Sequence, residues 1–129
     1  MTNAELVQSF YDSVEGGNPA AAIALLADDC AWTEMDGFPY AGTYHGPDEI
    51  AANVFARLGA EWEGFRLDVD EVLDAGDSVV GIGTYSGTYR ATGKPMRARV
   101  VHVWRVRDGK VAAFEQFTDT LRVAEAIGS

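Results

Sequence analysis

The chain has 129 residues, with 10 Lys and Arg, 20 Asp and Glu, two His and one Cys, and its formal net charge is −10. This length predicts one domain, 1–129, with room for a hydrophobic core, and the acidic charge argues against nucleic acid or a membrane surface as a partner. A single Cys excludes an internal disulfide, and because there is no run of about 20 apolar residues and no signal-peptide pattern at the N-terminus, we expect a cytoplasmic protein.

Two helices are predicted at the start of the chain. Thr2 and Glu5 have the spacing of a capping box, and the apolar residues that follow recur at helical spacing until Gly16. Asn18 is a good N-cap and Pro19 fits the first helical position, so a second, short helix begins there. We expect this helix to end at Asp28–Asp29.

A strand and a third helix are expected next. Residues 30–35 are typical of a strand, and residues 36–44 are predicted to form a loop rich in glycine and aromatic side chains. A helix begins at Gly46 with early acidic residues, which favour the helix dipole. Gly59 is predicted to end this helix.

From residue 65 onward the apolar pattern changes to a period of two, which predicts strands. Asp108–Gly109 is a strong two-residue hairpin signal, and Asp119 is the expected N-cap of a last helix, 120–126. The predicted strands contain residues 65–70, 79–90, 96–107 and 111–118.

Helices grouped before an antiparallel meander predict an α+β fold, with the helices against one face of the sheet. Three glycines inside one strand, Gly81, Gly83 and Gly87, predict a bulge, a bend or a close backbone approach, and hence strong curvature. A curved, mostly antiparallel sheet wrapped around three N-terminal helices leaves an internal pocket. Pockets of this kind hold small, mostly apolar molecules.

Three polar side chains are predicted on the inward face of the sheet. In residues 96–107 the even positions are apolar apart from His102, so this face is expected to contact the helices. Gln116 lies on the matching face of the next strand, and Glu34 points inward if Trp32 does. A carboxyl group in an apolar cavity has a raised pKa and can exchange protons near neutral pH.

The opposite face of the same strands is charged. Arg97, Arg99, Arg105 and Arg107 alternate with the apolar positions, and Glu115 lies on the same face of the next strand. Because unlike charges on paired strands attract, this outer face is predicted to be either a solvated surface or a dimer surface.

Motifs in five segments, together with the order of elements, are shared with a known family. They lie in residues 5–11, 25–32, 42–47, 90–94 and 101–111. The chain resembles the SnoaL-like polyketide-cyclase branch of the NTF2-like (ketosteroid isomerase) superfamily over nearly its whole length. The resemblance implies a cone-shaped fold with one pocket and a homodimer through the outer sheet face. It does not specify an activity, because this fold hosts several.

Residue by residue, the resemblance places Glu34 where ketosteroid isomerases have their proton-moving carboxylate. His102 falls where the isomerases have an oxyanion-hole donor and where SnoaL-like cyclases have a His. Phe10 stands where the isomerases have an essential Tyr, so the catalytic set of the isomerases is incomplete. Gln116 and Tyr85 stand where limonene-type epoxide hydrolases have two Asp residues, so the catalytic set of the hydrolases is incomplete as well. The superfamily layout separates base and donor, so we expect a neutral His102 and a raised pKa for Glu34.

The sequence therefore predicts a cofactor-independent isomerase, cyclase or dehydratase that acts on a hydrophobic ketone or polyketide-like compound by acid-base proton transfer. Glu34 and His102 are the predicted catalytic residues, and no metal site is expected from two isolated His residues. The alternative is a non-catalytic, dimeric ligand-binding or scaffold module. An open pocket containing both residues favours the enzyme, and a pocket filled by aromatic rings favours the module. The predicted substrate-binding side chains are Phe10, Trp32, Phe55, Tyr85, Trp104 and Gln116.

Overall fold

One sheet of six strands forms the centre of the fold, and the computed structural model describes residues 1–128 of the chain. The helices are α1 (Asn3–Glu15), α2 (Pro19–Ile23), α3 (Gly46–Ile50), a π-helical turn (Ala51–Phe55), α4 (Ala56–Glu61) and α5 (Thr120–Ile127). The strands are β1 (Leu26–Glu34), β2 (Gly42–His45), β3 (Trp62–Asp74), β4 (Val79–Tyr89), β5 (Pro95–Arg107) and β6 (Lys110–Thr118). Their order across the sheet is β2-β1-β6-β5-β4-β3. The predicted α+β class with a curved sheet is confirmed.

Neighbouring strands are antiparallel except for β1 and β6, which run parallel. The β5–β6 hairpin turns at Asp108 and Gly109, whose φ angles of 52° and 73° suit a two-residue type I′ turn. The predicted capping box of α1 is also present, because the Glu5 backbone N–H donates to Thr2 Oγ1 at 3.1 Å and the Thr2 N–H donates to Glu5 Oε1 at 2.8 Å. These locally encoded features are confirmed.

The second helix is shorter, and the first strand longer, than predicted. α2 has only five residues, and β1 begins at Leu26, so Asp28 and Asp29 lie in the strand rather than at a helix end. The cause is a long-range pairing, since Leu26 lies beside Val111 of β6. A register shift before Ala31 leaves the two acidic side chains exposed at an irregular part of the strand.

The segment predicted as a loop, 36–44, contains the start of an edge strand. Residues from Gly42 onward form β2, which pairs with the end of β1 so that Trp32 lies opposite Tyr44. Most of β2 is exposed. It therefore lacks the alternation of buried and exposed side chains by which a strand is recognised in a sequence.

Gly59 does not end the third helix. The helical run continues from α3 through the π-helical turn into α4, where Gly59 keeps a helical backbone, and it ends at Glu61. Glycine ends a helix when it adopts a positive φ, and here it is accommodated in the helix interior. Among the helices of residues 1–128, none is long and apolar enough to cross a membrane.

Close approaches at the glycines of β4 explain the curvature of the sheet. A Cβ atom on Gly83 would lie 2.3 Å from the carbonyl oxygen of Asp68, and one on Gly81 would lie 2.0 Å from the hydroxyl of Tyr11. The register between β3 and β4 shifts between Val69 and Glu71, as expected for a bulge that bends a sheet. The predicted close backbone approach is confirmed.

Candidate functional site

A cavity of about 1300 Å³ lies between the helices and the inner face of the sheet. Ligand pockets commonly measure about 300–1,000 Å³, so the space is large enough for a small molecule. Gln116 is 1 % exposed and lies behind the wall, where it hydrogen-bonds Tyr85. The other seven predicted site residues line the cavity, namely Phe10, Trp32, Glu34, Phe55, Tyr85, His102 and Trp104.

Glu34 is the last residue of β1, and its carboxyl group is buried at the cavity wall. Its side-chain atom Oε2 has no hydrogen-bond partner among residues 1–128. Burial raises the pKa of Glu34 from 4.5 to about 8, and the nearby Trp32 indole opposes this rise. The indole N–H forms no hydrogen bond of standard geometry with any of residues 1–128. Glu34 is therefore mostly protonated at neutral pH, and it can gain or lose a proton there.

His102, on β5, uses both of its ring nitrogens in contacts with tyrosines. Nδ1 lies 2.9 Å from the hydroxyl of Tyr11, and Nε2 lies 2.7 Å from the hydroxyl of Tyr85. Burial lowers the pKa of His102 from 6.5 to about 3, so the ring is neutral at pH 7. The directions of the His102 and Glu34 shifts agree with those expected from the sequence.

These contacts extend into a chain of five side chains, which we call the polar chain: Trp104, Tyr11, His102, Tyr85 and Gln116. The indole N–H of Trp104 donates to the Tyr11 hydroxyl at 2.8 Å, and the amide N–H of Gln116 donates to the Tyr85 hydroxyl at 3.0 Å. Burial raises the pKa of both tyrosines, so both hydroxyls stay protonated. The polar chain thus joins α1 to three strands through neutral groups.

The apolar part of the cavity wall is aromatic. Trp32 stacks on Phe114 with ring centroids 3.6 Å apart, and the ring of Phe55 contacts Trp32 edge-on at 5.6 Å. Phe10 packs against Trp104 at 4.9 Å. Such rings bury large apolar areas in fixed orientations, so the wall can hold a flat or cyclic hydrophobic molecule.

Sequence reasoning did not assign Tyr11 or Phe114 to the site. Tyr11 belongs to the apolar pattern of α1, and Gly81 of β4 is the residue whose missing side chain makes room for its hydroxyl. Phe114 shares the inward face of β6 with Gln116. That shared face was the available signal for Phe114, whereas no sequence pattern links Tyr11 to a strand 91 residues away.

Exposed polar side chains also belong to the lining of the cavity, in contrast to its aromatic part. They include Gln8 and Glu15 of α1 and Arg66 and Asp68 of β3. Arg66 forms an ion pair with Asp68, and this hydrogen-bonded carboxylate raises the pKa of Arg66. A polar rim around an aromatic interior suits a ligand that is mostly hydrophobic and carries few polar groups.

A family model for the SnoaL-like domain matches residues 7–114. The chain belongs to the SnoaL-like domain family. The matched range includes Phe10, Glu34, Tyr85 and His102, and this membership confirms the resemblance found in the sequence. Because SnoaL-like domains share the NTF2-like fold, which hosts several activities, membership by itself does not define the reaction.

Relatives of known structure share the complete fold of this SnoaL-like chain. An NTF2-like protein from Burkholderia thailandensis is 53% identical, with 100% of this chain and 99% of that chain covered and a TM-score of 0.97. TerC, crystallised with polyporic acid, is 28% identical, with 98% of each chain covered and a TM-score of 0.87. These similarities extend over essentially the whole of each chain.

Patulin synthesis protein F of Aspergillus clavatus is 29% identical over 120 residues, which is 81% of this chain and 58% of that protein. The corresponding patulin cluster protein of Penicillium expansum is covered over 47% of its length. The chain therefore spans about half the length of the curated relatives that it matches.

Proposed function

We propose that the protein is a cofactor-independent isomerase, cyclase or dehydratase that moves a proton on a hydrophobic ketone or polyketide-like compound, with Glu34 as the proton-transferring group. The observation that carries this proposal is the Glu34 carboxyl, which is 4 % exposed at the wall of a large cavity and has a pKa raised to about 8. General acid-base groups work best when their pKa lies near the operating pH.

In the proposed step, the carboxylate form of Glu34 takes a proton from a carbon next to a ligand carbonyl. The C–H electron pair forms the carbon–carbon double bond of an enolate, and the carbonyl oxygen takes the negative charge. Where the ketone carries a β,γ carbon–carbon double bond, the enolate is conjugated, and return of the proton from Glu34 to the γ-carbon completes an isomerisation. In a cyclisation, the enolate carbon attacks a second carbonyl of the same molecule, and the Glu34 proton passes to the alkoxide that forms. Both steps need a hydrogen-bond donor close to the enolate oxygen.

Two further observations support an enzyme over a binding module. The cavity is open and contains both Glu34 and His102, rather than being filled by Trp32, Tyr85 and Trp104. The relatives carry names from the chemistry of small organic compounds, one from patulin synthesis and one from its complex with polyporic acid. The open cavity favours the enzyme over the filled module, and the names of the relatives favour a small organic ligand.

The test is exchange of the α-hydrogens of a panel of hydrophobic cyclic ketones for deuterium in heavy water, followed by NMR. We expect kcat/KM to rise about tenfold per pH unit up to about pH 8 and then to level off, because only the carboxylate form of Glu34 accepts a proton. A catalysed rate that does not change over this interval would contradict the role of Glu34. Absence of exchange with every ketone is the result expected of a non-catalytic module.

We also propose that two copies pair through the outer face of the sheet. The centre of this face is apolar, and Phe117 is 42 % exposed there beside Val101. Asp70 of β3 and Arg99 of β5 already form an ion pair within each copy. A two-fold axis between β5 and β6 would place Phe117 of each copy over the outer face of β5 in the other, so that the two apolar centres meet.

Light scattering tests this pairing. The wild-type protein is expected to have twice the monomer mass of 13.9 kDa, and Phe117→Glu should reduce it to the monomer because the new charge lies at the centre of the apolar patch. Leu121→Glu, on α5, is the matched control and should leave the mass unchanged, since Leu121 is 67 % exposed away from the sheet face. A wild-type particle of monomer mass would contradict the proposal.

A further inference from the structure

Two enclosed side-chain oxygens have no hydrogen-bond partner among residues 1–128. They are Oε2 of Glu34 and Oε1 of Gln116. Both side chains are buried, and neither oxygen has appreciable surface accessible to water. A water molecule therefore cannot be their partner. Because a buried acceptor without a donor loses much of the free energy of a hydrogen bond, the missing proton has to come from the protein itself.

The register of the sheet brings these two side chains together. β1 and β6 run parallel, with Thr33 beside Glu115. The next position along each strand is Glu34 on β1 and Gln116 on β6, and both side chains point to the buried inner face. Neighbouring strands lie about 4.8 Å apart, so the carboxyl group and the amide group are within reach of each other.

The amide group of Gln116 turns its nitrogen, and not its oxygen, toward the polar chain. The amide N–H donates to the hydroxyl of Tyr85 at 3.0 Å, so the amide oxygen is directed to a different neighbour. A charge on Glu34 contributes to raising the pKa of Tyr85, so the carboxyl group lies near this end of the polar chain. Two acceptor oxygens that face each other repel unless a proton lies between them.

Glu34 itself can supply that proton, because burial keeps its carboxyl group mostly protonated at neutral pH. The Trp32 N–H is the third enclosed polar atom without a partner among residues 1–128, but it is a donor and cannot accept the proton. The buried titratable groups that line the cavity with Glu34 are Tyr11, Tyr85 and His102. All three are neutral at pH 7, and the pKa of Glu34 is shifted by burial and by Trp32 rather than by a charged side chain.

We propose that the neutral carboxyl group of Glu34 donates its proton from Oε2 to the amide oxygen of Gln116, and that Gln116 is a positioning residue for the proton-transferring group. This hydrogen bond anchors one oxygen of the carboxyl group to β6. The other oxygen, Oε1, is not enclosed, so it is the one that the cavity wall presents to a ligand. Gln116 then acts on the ligand through Glu34 rather than by direct contact.

The same contact makes the carboxylate form of Glu34 a stronger base. An acceptor beside a carboxyl group stabilises its neutral form and disfavours its charged form. After Glu34 ionises, its Oε2 atom faces the negative end of the amide dipole of Gln116, so the carboxylate takes up a proton more readily. The inference rests on the proposed function for its role in catalysis, but the hydrogen bond itself requires no ligand and can be tested alone.

The test is ¹³C NMR titration of the Glu34 carboxyl carbon in Gln116→Met, which keeps the size of the side chain and removes the amide oxygen. The pKa of Glu34 is expected to fall by about 0.5–1 unit, the equivalent of one buried hydrogen bond, and kcat/KM for ketone exchange should level off at a correspondingly lower pH. Gln8→Met is the matched control, because it makes the same change at an exposed residue of the cavity lining and should leave the pKa of Glu34 unchanged. An unchanged or higher pKa in Gln116→Met would overturn the proposal.

A second measurement uses the wild-type protein and remains decisive if Gln116→Met does not fold. The nuclear Overhauser effect at about pH 7 locates the side-chain amide protons of Gln116, which we expect close to the ring protons of Tyr85. Amide protons close to the Hγ protons of Glu34 instead would mean that Gln116 donates to the carboxyl group, which overturns the proposal. Loss of all ketone exchange with the expected pKa change intact would instead refute the proposed catalytic function and leave the role of Gln116 standing.

Discussion

Replacing Glu34 with Gln is expected to slow ketone exchange by about 10²–10⁴-fold, the usual effect of removing a general base, and at the same time to stabilise the folded protein above about pH 6.5. Gln keeps the shape of the side chain but cannot carry the charge. The active group is therefore also a source of instability, because a carboxylate that ionises inside an apolar cavity loses its hydration without gaining a partner.

The pH dependence of this stabilisation follows from the two pKa shifts. Glu34 keeps its proton up to about pH 8 in the folded state, whereas the unfolded state loses it near 4.5, so the free energy of unfolding falls as pH rises between these values. Buried His102 acts in the opposite sense below 6.5, because only the unfolded state takes up its proton as pH falls toward 3. Between 4.5 and 6.5 the two contributions oppose each other, and above 6.5 that of Glu34 remains.

Urea unfolding at a series of pH values measures this difference. From pH 6.5 to 8 the wild-type protein should lose about 2 kcal/mol relative to Glu34→Gln, at about 1.4 kcal/mol per pH unit for one proton. Glu125→Gln, an exposed substitution on α5, is the control and should follow the wild-type curve. Parallel curves for wild type and Glu34→Gln would contradict a raised pKa at this carboxyl.

Replacing Gly81 with Ala is expected to destabilise the fold by about 2–4 kcal/mol, the combined cost of overpacking and of disrupted buried hydrogen bonds. The new methyl group would lie 2.0 Å from the Tyr11 hydroxyl and 2.8 Å from its ring carbon Cζ. Tyr11 must move, and its hydrogen bonds to His102 and Trp104 are lost or lengthened. Thermal or urea unfolding measures the change.

A matched glycine provides the control for this prediction. Gly59 lies inside α4 with open space around a built Cβ atom, so Gly59→Ala should stabilise the protein by about 0.5–1 kcal/mol through helix propensity. Combining Gly81→Ala with Tyr11→Phe should cost less than the sum of the single changes, because the displaced hydroxyl is then absent. If the changes in the free energy of unfolding simply add, or if Gly81→Ala leaves that free energy unchanged, Tyr11 is not held against β4.

Features set by local sequence could be predicted well. The alternation along β5 placed His102 on the buried face, and the same rule applied to β6 placed Gln116 opposite it. The turn at Asp108 and the cap at Asp119 depend on a few adjacent residues. Such features follow from short-range geometry, so one sequence contains enough information to identify them.

Features set by long-range pairing could not be predicted. β1 starts at Leu26 because β6 supplies a parallel partner, and β2 exists because β1 leaves its other edge free for pairing. Within the site, the alternation of apolar and polar residues along β5 indicates that His102 points inward. It does not indicate that Tyr11 and Tyr85 hydrogen-bond the two ring nitrogens of His102. The role of the ring therefore follows only from the tertiary structure.

The most direct measurement is the pKa of Glu34 in the folded protein, obtained by ¹³C NMR titration of its carboxyl carbon, with the resonance assigned by its absence in Glu34→Gln. Burial at the cavity wall predicts a pKa of about 8, together with a His102 ring that stays neutral down to about pH 3. A Glu34 pKa below 4.5 coupled to a His102 pKa above 6.5 would instead show a buried ion pair with a structural role, and would contradict proton transfer by this carboxyl.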